Sequence, residues 1–420
     1  MSRGEPSLAP AVLEQVRRLG TVDILVGIPS YNNARTIGHV VRSLVSGLAT
    51  HFPDARAVLV NSDGGSTDGT RDVVARTDPG PVPEILAESA AAGRIVTLYE
   101  GIPGKGSAVR TIFRIAAELR ASACCVVDAD LRSIGPVWVD RLLGPVVRGG
   151  FEFVAPRYLR YRWDGTITNT IVAPMTRTLW GRRIRQPIGG DFGFSGSLAE
   201  RFLGFDGWDG PVARFGIDIF MTATALAEGR RVCEAHLGAK VHDAKDPAQD
   251  LPPMMVQVLS ALFERMEATE ERWLSVTGSE PVPIAGEPPS VRPEPIPVRL
   301  APLTEAFQRG VRDLPPVWEA FLSPETLGEL QRAAASVPGP TLSDESWASI
   351  LFQAAAEWKR GSLPRETLIR SLVPLYLGKV GSLVSEISDV SDEEAENRFE
   401  ALGETFERTK PLLCRLWREA

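Results

Sequence analysis

The first half of the chain repeats one pattern, in which a short apolar run is followed by a stretch with helical spacing. After the first run, six apolar residues between Ile37 and Leu48 recur at i, i+3, i+4, i+7, i+8 and i+11, as on one face of a helix. Strand–helix alternation repeated four times predicts an α/β fold with a mostly parallel, doubly wound sheet. The strand-like runs cover residues 23–29, 57–60, 95–99 and 124–127.

The fourth apolar run ends in two carboxylates, in the triplet Asp128-Ala129-Asp130. In open α/β sheets, ligands bind beyond the carboxyl ends of the strands. Side chains two residues apart on an extended backbone point to the same side. Hard oxygen ligands of this kind suit Mg²⁺ or Mn²⁺, which in turn binds a diphosphate. Taken alone, the triplet is more typical of a strand-ending turn with solvated aspartates.

Two other predicted strand ends carry polar and flexible residues. The segment Asn61–Thr70 contains Asp63 among glycines, which allow close approach of the backbone to a ribose or a base. Lys105 lies in a glycine-flanked turn before a predicted helix, where it can meet phosphate charge. The spacing of a P-loop is absent, and one such turn by itself indicates only a solvated loop lysine. Their occurrence at successive strand ends favours a ligand site.

The second half of the chain has a different composition. Eight prolines within residues 278–302 predict an extended linker. Beyond it we expect helices, the last opening with the capping-box spacing of Ser391 and Glu394. Trp347 and its apolar neighbours are expected to form core or subunit contacts. The predicted domains are a catalytic domain over 1–277, a linker over 278–302 and a helical domain over 303–420.

Composition narrows the function classes. The 420-residue chain is long enough for several domains, and its net charge of −7 argues against a nucleic-acid-binding surface. The four cysteines lack metal-ligand spacing, and the sequence has no apolar run of 18 residues. We therefore expect a cytoplasmic protein with no membrane span and no nucleic-acid partner, and a homodimer formed through the helical region.

The motifs in this order resemble those of GT-A glycosyltransferases. The early ones are Ile28–Asn32, Asn61–Thr70, Pro103–Gly106 and Asp128–Asp130. The downstream segments look like the retaining group that includes glucosyl-3-phosphoglycerate, mannosylglycerate and glucosylglycerate synthases. Those segments are Tyr158–Arg160, Gly165–Asn169, Gly189–Phe192, Gly216–Asp218 and Val241–His242. The resemblance covers roughly residues 22–260.

This resemblance implies a nucleotide-sugar donor, with GDP, UDP or ADP as the nucleotide. It implies a Mg²⁺ or Mn²⁺ ion ligated by Asp130 and His242, an arrangement that leaves coordination positions open for phosphate oxygens. The residues implied in donor binding are Pro29, Tyr31, Asn33, Asp63, Lys105, Asp128 and Ala129.

The same resemblance assigns the reacting centre to Lys105, Asp191 and Asp218. Asp218 would hold hydroxyls of the donor sugar, although a carboxylate at the start of a helix is also explained by the helix dipole. No residue is marked by its motif as a nucleophile. We therefore hypothesise same-face substitution, in which the leaving diphosphate is stabilised by charge and takes the proton of the acceptor.

The acceptor is expected to be a small hydroxy acid. The resembling enzymes that use phosphoglycerate carry an arginine where this chain has Thr166, and threonine cannot make arginine's bidentate phosphate contact. The predicted reaction is therefore transfer of glucose or mannose to glycerate. Transfer to 3-phosphoglycerate, with Arg157, Arg160 or Arg162 as the substitute cation, and inverting family 2-type transfer to another acceptor are the alternatives. The residues implied in acceptor binding are Thr166, Thr168, Asn169, Gly189 and Gly190.

Overall fold

The structure is a computed structural model that describes residues 8–77, 95–98, 104–241, 251–288, 293, 295–336 and 339–420. The chain divides into two compact units, each assembled from three segments. The sheet unit comprises Met1–Leu159, Gln186–Asp243 and Val282–Pro293. The helical unit comprises Arg160–Arg185, Ala244–Pro281 and Glu294–Ala420.

An eight-stranded sheet forms the centre of the sheet unit. Its order is β10-β8-β5-β7-β4-β1-β2-β3, and every pairing is parallel except those of β7 with β4 and β5. The α/β fold with a mostly parallel sheet is therefore confirmed. The strands in chain order are β1 Ile24–Ser30, β2 Ala57–Asp63, β3 Ile95–Leu98, β4 Ala123–Val126, β5 Phe153–Leu159, β6 Arg182–Arg183, β7 Phe192–Ser195, β8 Val232–Ala239, β9 Glu280–Pro281 and β10 Ile284–Ala285.

Helices flank this sheet and form most of the helical unit. In chain order the α-helices are α1 Pro10–Leu19, α2 Ile37–His51, α3 Thr70–Arg76, α4 Lys105–Glu118, α5 Val137–Val147, α6 Ala173–Trp180, α7 Gly196–Leu203, α8 Ile217–Ala227, α9 Leu251–Ala268, α10 Glu270–Leu274, α11 Leu300–Asp313, α12 Pro315–Trp318, α13 Pro324–Ala334, α14 Asp344–Arg360, α15 Arg365–Ser371, α16 Val373–Ile387 and α17 Asp392–Glu419.

The central strands begin with continuous apolar runs because both faces of the sheet are covered. Every residue of β1 is buried, and so are all residues of β2 after Ala57. Buried parallel strands have this continuous pattern, whereas half-exposed strands alternate. The polar residues at the ends of β1 and β2 therefore stand out, and they lie side by side, with Ser30 opposite Asp63.

The helical unit has its own core, in which Trp347, Tyr376 and Trp417 are fully buried. A π-helix, Thr168–Val172, leads directly into α6. Ser391 and Glu394 form the predicted capping box at the start of α17. The predicted helical C-terminal region is confirmed.

The proline-rich stretch contains two very short strands. Its β9 pairs with β6 inside the helical unit, and its β10 pairs with β8 inside the sheet unit. The domain boundaries predicted at residues 277 and 302 remain a prediction. The compact units are interleaved in sequence, because Arg160–Arg185 and Ala244–Pro281 belong with the C-terminal helices.

One described segment, Arg365–Ile387, is long and apolar enough by length and composition to cross a membrane. Of its most apolar window, 78% is buried inside the protein. Burial of this kind is typical of a helix pair in a protein core.

Candidate active site

Two lysines and three aspartates meet in the sheet unit. Lys105 is the first residue of α4, and Asp218 is the second residue of α8. Asp128 follows β4 by two residues, Asp191 directly precedes β7, and Lys240 directly follows β8. Five separate elements thus contribute one charged side chain each.

Asp128 is shared by both lysines. Its Oδ1 lies 2.8 Å from Nζ of Lys105, and its Oδ2 lies 3.0 Å from Nζ of Lys240. Lys105 also lies 3.1 Å from Oδ1 of Asp218. The lysine predicted to face a diphosphate is therefore held by two carboxylates in this structure.

Asp191 is fully buried and engaged at both oxygens. Its Oδ1 accepts a hydrogen bond of 2.7 Å from the backbone N–H of Asp128. Its Oδ2 accepts from the hydroxyl of Tyr158 and lies 3.0 Å from Nζ of Lys240. Lys240 also lies over the ring of Tyr158, 5.0 Å from its centroid. Asp191 thus contacts its neighbours through both oxygens.

The Gly189-Gly190 pair passes between the two lysines. The carbonyl of Gly189 accepts from Lys240 at 2.8 Å, and that of Gly190 accepts from Lys105 at 3.3 Å. A Cβ on Gly190 would lie 2.1 Å from Oδ2 of Asp128, and its φ of +95° also favours glycine. The sequence resemblance implies this pair in acceptor binding. The carbonyls of the pair face the ammonium groups, because ammonium groups largely removed from water need hydrogen-bond acceptors.

The glycines beside Lys105 serve packing. A Cβ on Gly104 would lie 2.7 Å from the carbonyl oxygen of Ala213, and one on Gly106 would lie 1.9 Å from that of Val212. The N–H of Gly106 donates to the carbonyl of Arg214 at 3.1 Å. The start of α4 is therefore pressed against the turn before α8, which brings Lys105 to Asp218.

Burial and charge act in opposite directions on these groups. Burial tends to lower the pKa of Lys105, but the charges of Asp128 and then Asp218 outweigh it and raise the pKa. Burial tends to raise the pKa of Asp128, and the two lysines outweigh it and lower the pKa. For Asp191 and Asp218 burial dominates, so their pKa values are raised despite the nearby lysines.

Asp130 differs from the three clustered aspartates. It is partly exposed in the turn after β4 and has no hydrogen-bond or ion-pair partner among the described residues. The carbonyl of Ala129, beside it, accepts from the hydroxyl of Thr36 at 2.8 Å. The turn is thus fixed while the Asp130 carboxylate stays available.

The predicted second metal ligand, His242, lies outside the described residues. Val241, the residue before it, accepts from the N–H of Arg132 at 2.9 Å and donates to Oγ of Ser133 at 3.0 Å. These contacts tie the end of the β8 segment to the turn that carries Asp130. Among described residues no group of three or more His, Cys, Asp or Glu side chains is arranged for a metal ion. One or two carboxylates suffice for Mg²⁺ when phosphates and water complete its coordination, so Asp130 fits such an ion.

Asp63 lies at the end of β2 as predicted, but its carboxylate is fully buried. Oδ2 accepts from Oγ of Ser30 at 2.9 Å and from Oγ of Ser66 at 2.6 Å. Oδ1 accepts from the N–H groups of Gly65 and Ser66 at 3.0 and 2.8 Å. Four donors match the roughly four lone-pair sites of a carboxylate. Asp63 therefore shapes the turn, and the structure does not present it openly to a nucleotide.

The turn after β1 is locked to the turn after β2. Asn33 accepts from the N–H of Tyr31 at 2.8 Å, and its own N–H donates to Thr70. Tyr31 remains 63% exposed, which is unusual for an aromatic side chain. Pro29, also predicted to bind the donor, is buried within β1. Of this group Tyr31 presents the most open surface to a base.

The other predicted acceptor residues belong to the helical unit. Thr166 is fully buried, and its hydroxyl lies 2.6 Å from that of Tyr376. Asn169 accepts from Arg185 at 2.7 Å. The hydroxyl of Thr168 has no partner among the residues that the structure describes. Only Thr168, of these three, keeps an unused polar group.

Each candidate substitute for the missing arginine has an acidic partner. Arg157 pairs with Glu234 at 2.8 Å within the sheet unit. Within the helical unit, Arg160 lies 3.5 Å from Asp164, and Arg162 lies 3.0 Å from Asp392. Arg162 also donates to the carbonyls of Ile387 and Val390.

Two members of the cluster were missed from the sequence. Lys240 had no motif, since a single lysine after an apolar strand is ordinarily solvated. Tyr158 was quoted only as part of a motif. The signal that could have found Lys240 is its position at a strand end, the same criterion that selected Asp128.

The chain has relatives among known proteins, although no family model matches it. The glucosyl-3-phosphoglycerate synthase of Mycolicibacterium paratuberculosis is 27% identical over 285 residues, covering 63% of this chain and 78% of that protein. The enzyme of the same name from Mycolicibacterium smegmatis is 25% identical over 289 residues, covering 63% and 84%. A crystal structure of the Mycobacterium tuberculosis enzyme with Mn²⁺, UDP and phosphoglyceric acid has a TM-score of 0.43 and 22% identity, covering 63% and 84%.

The curated relatives define the class, and the chain is a glycosyltransferase. Within that class it is a distant homologue of the glucosyl-3-phosphoglycerate synthases, as its motifs predicted.

Proposed function

We propose that the protein is a metal-dependent retaining glycosyltransferase that moves glucose or mannose from a nucleotide sugar to the hydroxyl of glycerate. The observation that carries the proposal is the cluster of Lys105, Lys240 and Asp128 beyond the carboxyl ends of β4 and β8. A carboxylate shared by two ammonium groups is a preorganised charge centre, and catalysis of group transfer relies on such fixed charges.

On the donor side, Lys105 is the cation that would face the diphosphate. Its raised pKa keeps it protonated at neutral pH. In binding a phosphate it would exchange one carboxylate partner for another anion, while Lys240 still neutralises Asp128. Asp218, which Lys105 contacts at the start of α8, would accept hydrogen bonds from sugar hydroxyls.

The metal would be held by Asp130, with His242 as the second protein ligand. A carboxylate oxygen matches the preference of Mg²⁺ and Mn²⁺. When bound, the ion supplies positive charge to the leaving diphosphate. Asp128 is a poor candidate for direct ligation, because both of its oxygens already contact ammonium groups.

For the mechanism we favour same-face substitution. The acceptor oxygen forms a bond to the anomeric carbon while the bond from that carbon to the diphosphate breaks. The acceptor proton passes to the leaving diphosphate oxygen. Asp191 makes a poor covalent nucleophile, because Tyr158 and Lys240 engage one oxygen and the Asp128 N–H engages the other.

Glycerate is favoured as acceptor by two observations. Thr166 supplies no cation, and its hydroxyl is bonded to Tyr376. Arg157, Arg160 and Arg162 each have a carboxylate partner, which offsets their charge toward an incoming phosphate. A charge-assisted phosphate contact contributes about 1.5–3 kcal/mol, so its absence removes roughly 10- to 100-fold of preference for a phosphorylated acceptor.

Transfer to 3-phosphoglycerate is the second candidate, favoured by the names of the curated relatives. The decisive experiment measures NDP release for GDP-, UDP- and ADP-linked glucose and mannose against glycerate, 3-phosphoglycerate and lactate. We expect a higher kcat/KM for glycerate. A higher value for 3-phosphoglycerate would show that an arginine leaves its carboxylate to bind phosphate. No reaction with any pair would overturn the hydroxy-acid acceptor. Homodimerisation and a cytoplasmic location stay predictions.

A further inference from the structure

The segment from Arg162 to Thr170, which includes three predicted acceptor residues, is bonded to several C-terminal helices. All of these contacts lie within the helical unit. Two of them come from fully buried aromatic side chains, Trp347 on α14 and Tyr376 on α16. The indole N–H of Trp347 and the hydroxyl of Tyr376 each form a hydrogen bond with this segment.

Trp347 donates a hydrogen bond to a backbone carbonyl of the π-helix. The ordinary i+4 donor to the carbonyl of Thr170 would be residue 174, which is Pro174 and has no N–H. Nε1 of Trp347 donates to this carbonyl at 2.7 Å. Buried carbonyls need such partners. Trp347 therefore stabilises the irregular π-helical turn, a type of structure that is frequent at functional sites.

Tyr376 holds the start of the same turn. Its hydroxyl lies 2.6 Å from that of Thr166, and both side chains are fully buried. The carbonyl of Thr166 in turn accepts from the hydroxyl of Thr170 at 2.7 Å. The two aromatic anchors are thus linked through Thr166 and Thr170, on either side of Thr168.

Two arginines complete the attachment. Arg185 donates to Oδ1 of Asn169 and makes two hydrogen bonds, of 2.8 and 2.9 Å, to Glu396 on α17. Arg162 donates to the carbonyls of Ile387, the last residue of α16, and of Val390, and it pairs with Asp392. Contacts from α14, α16 and α17 therefore fix both the backbone and the side chains of the segment, while the Thr168 hydroxyl is left unused by described residues.

We propose that the C-terminal helices hold residues 162–170 in the conformation that binds the acceptor, with Trp347 and Tyr376 as positioning residues. This inference rests on the proposed function for the identity of the acceptor. The helical region then has a role in acceptor recognition, in addition to any role in subunit contact.

The chain offers a matched control for Trp347. Trp318 is also fully buried, and its Nε1 donates to the carbonyl of Ser371 at 3.1 Å, away from residues 162–170. Trp347→Phe and Trp318→Phe each remove one indole donor from a buried carbonyl of the helical unit. Both variants should lose stability, whereas only Trp347→Phe should weaken acceptor binding.

The experiment measures KM for glycerate and for the nucleotide sugar in the full-length wild type and in both variants. In Trp347→Phe we expect KM for glycerate to rise at least fivefold, while KM for the donor stays within twofold of wild type. In Trp318→Phe we expect no selective rise of KM for glycerate over KM for the donor. Tyr376→Phe should show the same selective rise. Equal acceptor KM values in wild type and Trp347→Phe, or the same rise in Trp318→Phe, would overturn the inference.

A second measurement is independent of the reaction. Hydrogen exchange of amides 166–172 should become faster in Trp347→Phe than in Trp318→Phe. If no acceptor reacts with the wild type, the proposed function fails, and this exchange difference still tests the positioning role. Unchanged exchange in both variants would exclude it.

Discussion

Lys105 and Lys240 hold opposite oxygens of one carboxylate, that of Asp128, at 2.8 and 3.0 Å. The two lysines have different surroundings. Lys105 faces Asp218 at the start of α8, whereas Lys240 reaches the fully buried Asp191 and the carbonyl of Gly189. Removing either ammonium group should therefore have a different consequence.

Lys240→Met should lower the free energy of unfolding by about 3–5 kcal/mol, because it leaves Asp191 as a buried carboxylate without its cation. The pKa of Asp191 is already raised, chiefly by burial, and should rise further. A folded-state pKa above the unfolded value means that the folded state binds the proton more tightly, so the loss should grow as pH rises past about 4. Urea unfolding between pH 4 and 8 measures this trend.

Lys379→Met is the control for this variant. Lys379 is fully buried and pairs with Asp344 at 2.6 Å, in the helical unit. Both variants should lose stability, but only Lys240→Met should lose turnover at temperatures where it is still folded. Full activity in folded Lys240→Met would show that Lys240 has no role in arranging the cluster.

Gly190→Ala should be inactive and less stable. Its Cβ would lie 2.1 Å from Oδ2 of Asp128, at a φ of +95°. Gly229 has a φ of +68° with nothing within 4 Å of the added Cβ, so Gly229→Ala isolates the backbone strain. We expect about 1 kcal/mol for Gly229→Ala and roughly 1–3 kcal/mol more for Gly190→Ala, the scale of overpacking. Similar unfolding energies for the two variants would contradict the steric contact.

Asp130→Asn should lose metal binding at little cost in stability, because the Asp130 carboxylate has no partner among the described residues. We expect Mn²⁺ affinity, followed by electron paramagnetic resonance in the presence of NDP, to fall by at least about 10-fold. EDTA should remove wild-type activity. Unaltered Mn²⁺ binding in Asp130→Asn and in His242→Ala would exclude the proposed metal ligands.

Lys410 should make stability depend on pH in the alkaline range. Nζ donates to the carbonyls of Trp273 and Val276 at 2.8 and 2.6 Å, and burial lowers its pKa to about 8. Between about pH 8 and 10.5 the unfolded chain binds more protons at this site, so stability should rise with pH by about 2–3 kcal/mol. Comparison of unfolding curves should show this rise in wild type and its loss in Lys410→Met. The same rise in both would exclude Lys410 as its source.

The sequence predicted the strand ends well because burial leaves a strong signal in them. Continuous apolar runs located β1, β2 and β4, and the polar residues after them located Asp128 and Asp130. The roles of residues in the turns after strands are harder to predict. Asp63 among glycines and serines predicts a ligand contact and a self-bonded turn equally well, and the turn donors occupy both its oxygens.

Contacts distant in sequence account for the rest. Lys240 lies 112 residues from Asp128, and no local pattern marks that pairing. Thr166 lies 210 residues from Tyr376. A comparison of motifs predicts a ligand contact at Thr166, but it cannot show a buried partner so distant in sequence. The interleaving of the two compact units was also not predicted, because residues 160–185 pack with helices more than a hundred residues later in the sequence.

The burial of Thr166 restricts which side chains can replace it. An arginine at this position was expected to supply a phosphate contact, but Thr166→Arg would place a charge in a fully buried site beside Tyr376. Burying a charge without a partner is strongly unfavourable. We therefore expect Thr166→Arg to unfold the helical unit, measured as loss of the cooperative thermal transition, instead of redirecting the acceptor preference. A folded Thr166→Arg with improved kcat/KM for 3-phosphoglycerate would contradict this.

A double-mutant cycle then measures the Thr166–Tyr376 contact itself. Thr166→Val leaves the Tyr376 hydroxyl buried without its partner, which should cost about 1–3 kcal/mol, whereas replacing both partners by apolar groups is close to neutral. Adding Tyr376→Phe to Thr166→Val should therefore restore much of the lost stability. Additive losses in the double variant would mean that the two hydroxyls do not interact. Acceptor KM should stay raised in the double variant despite its recovered stability, because the bond that fixes the start of the π-helical turn is still missing.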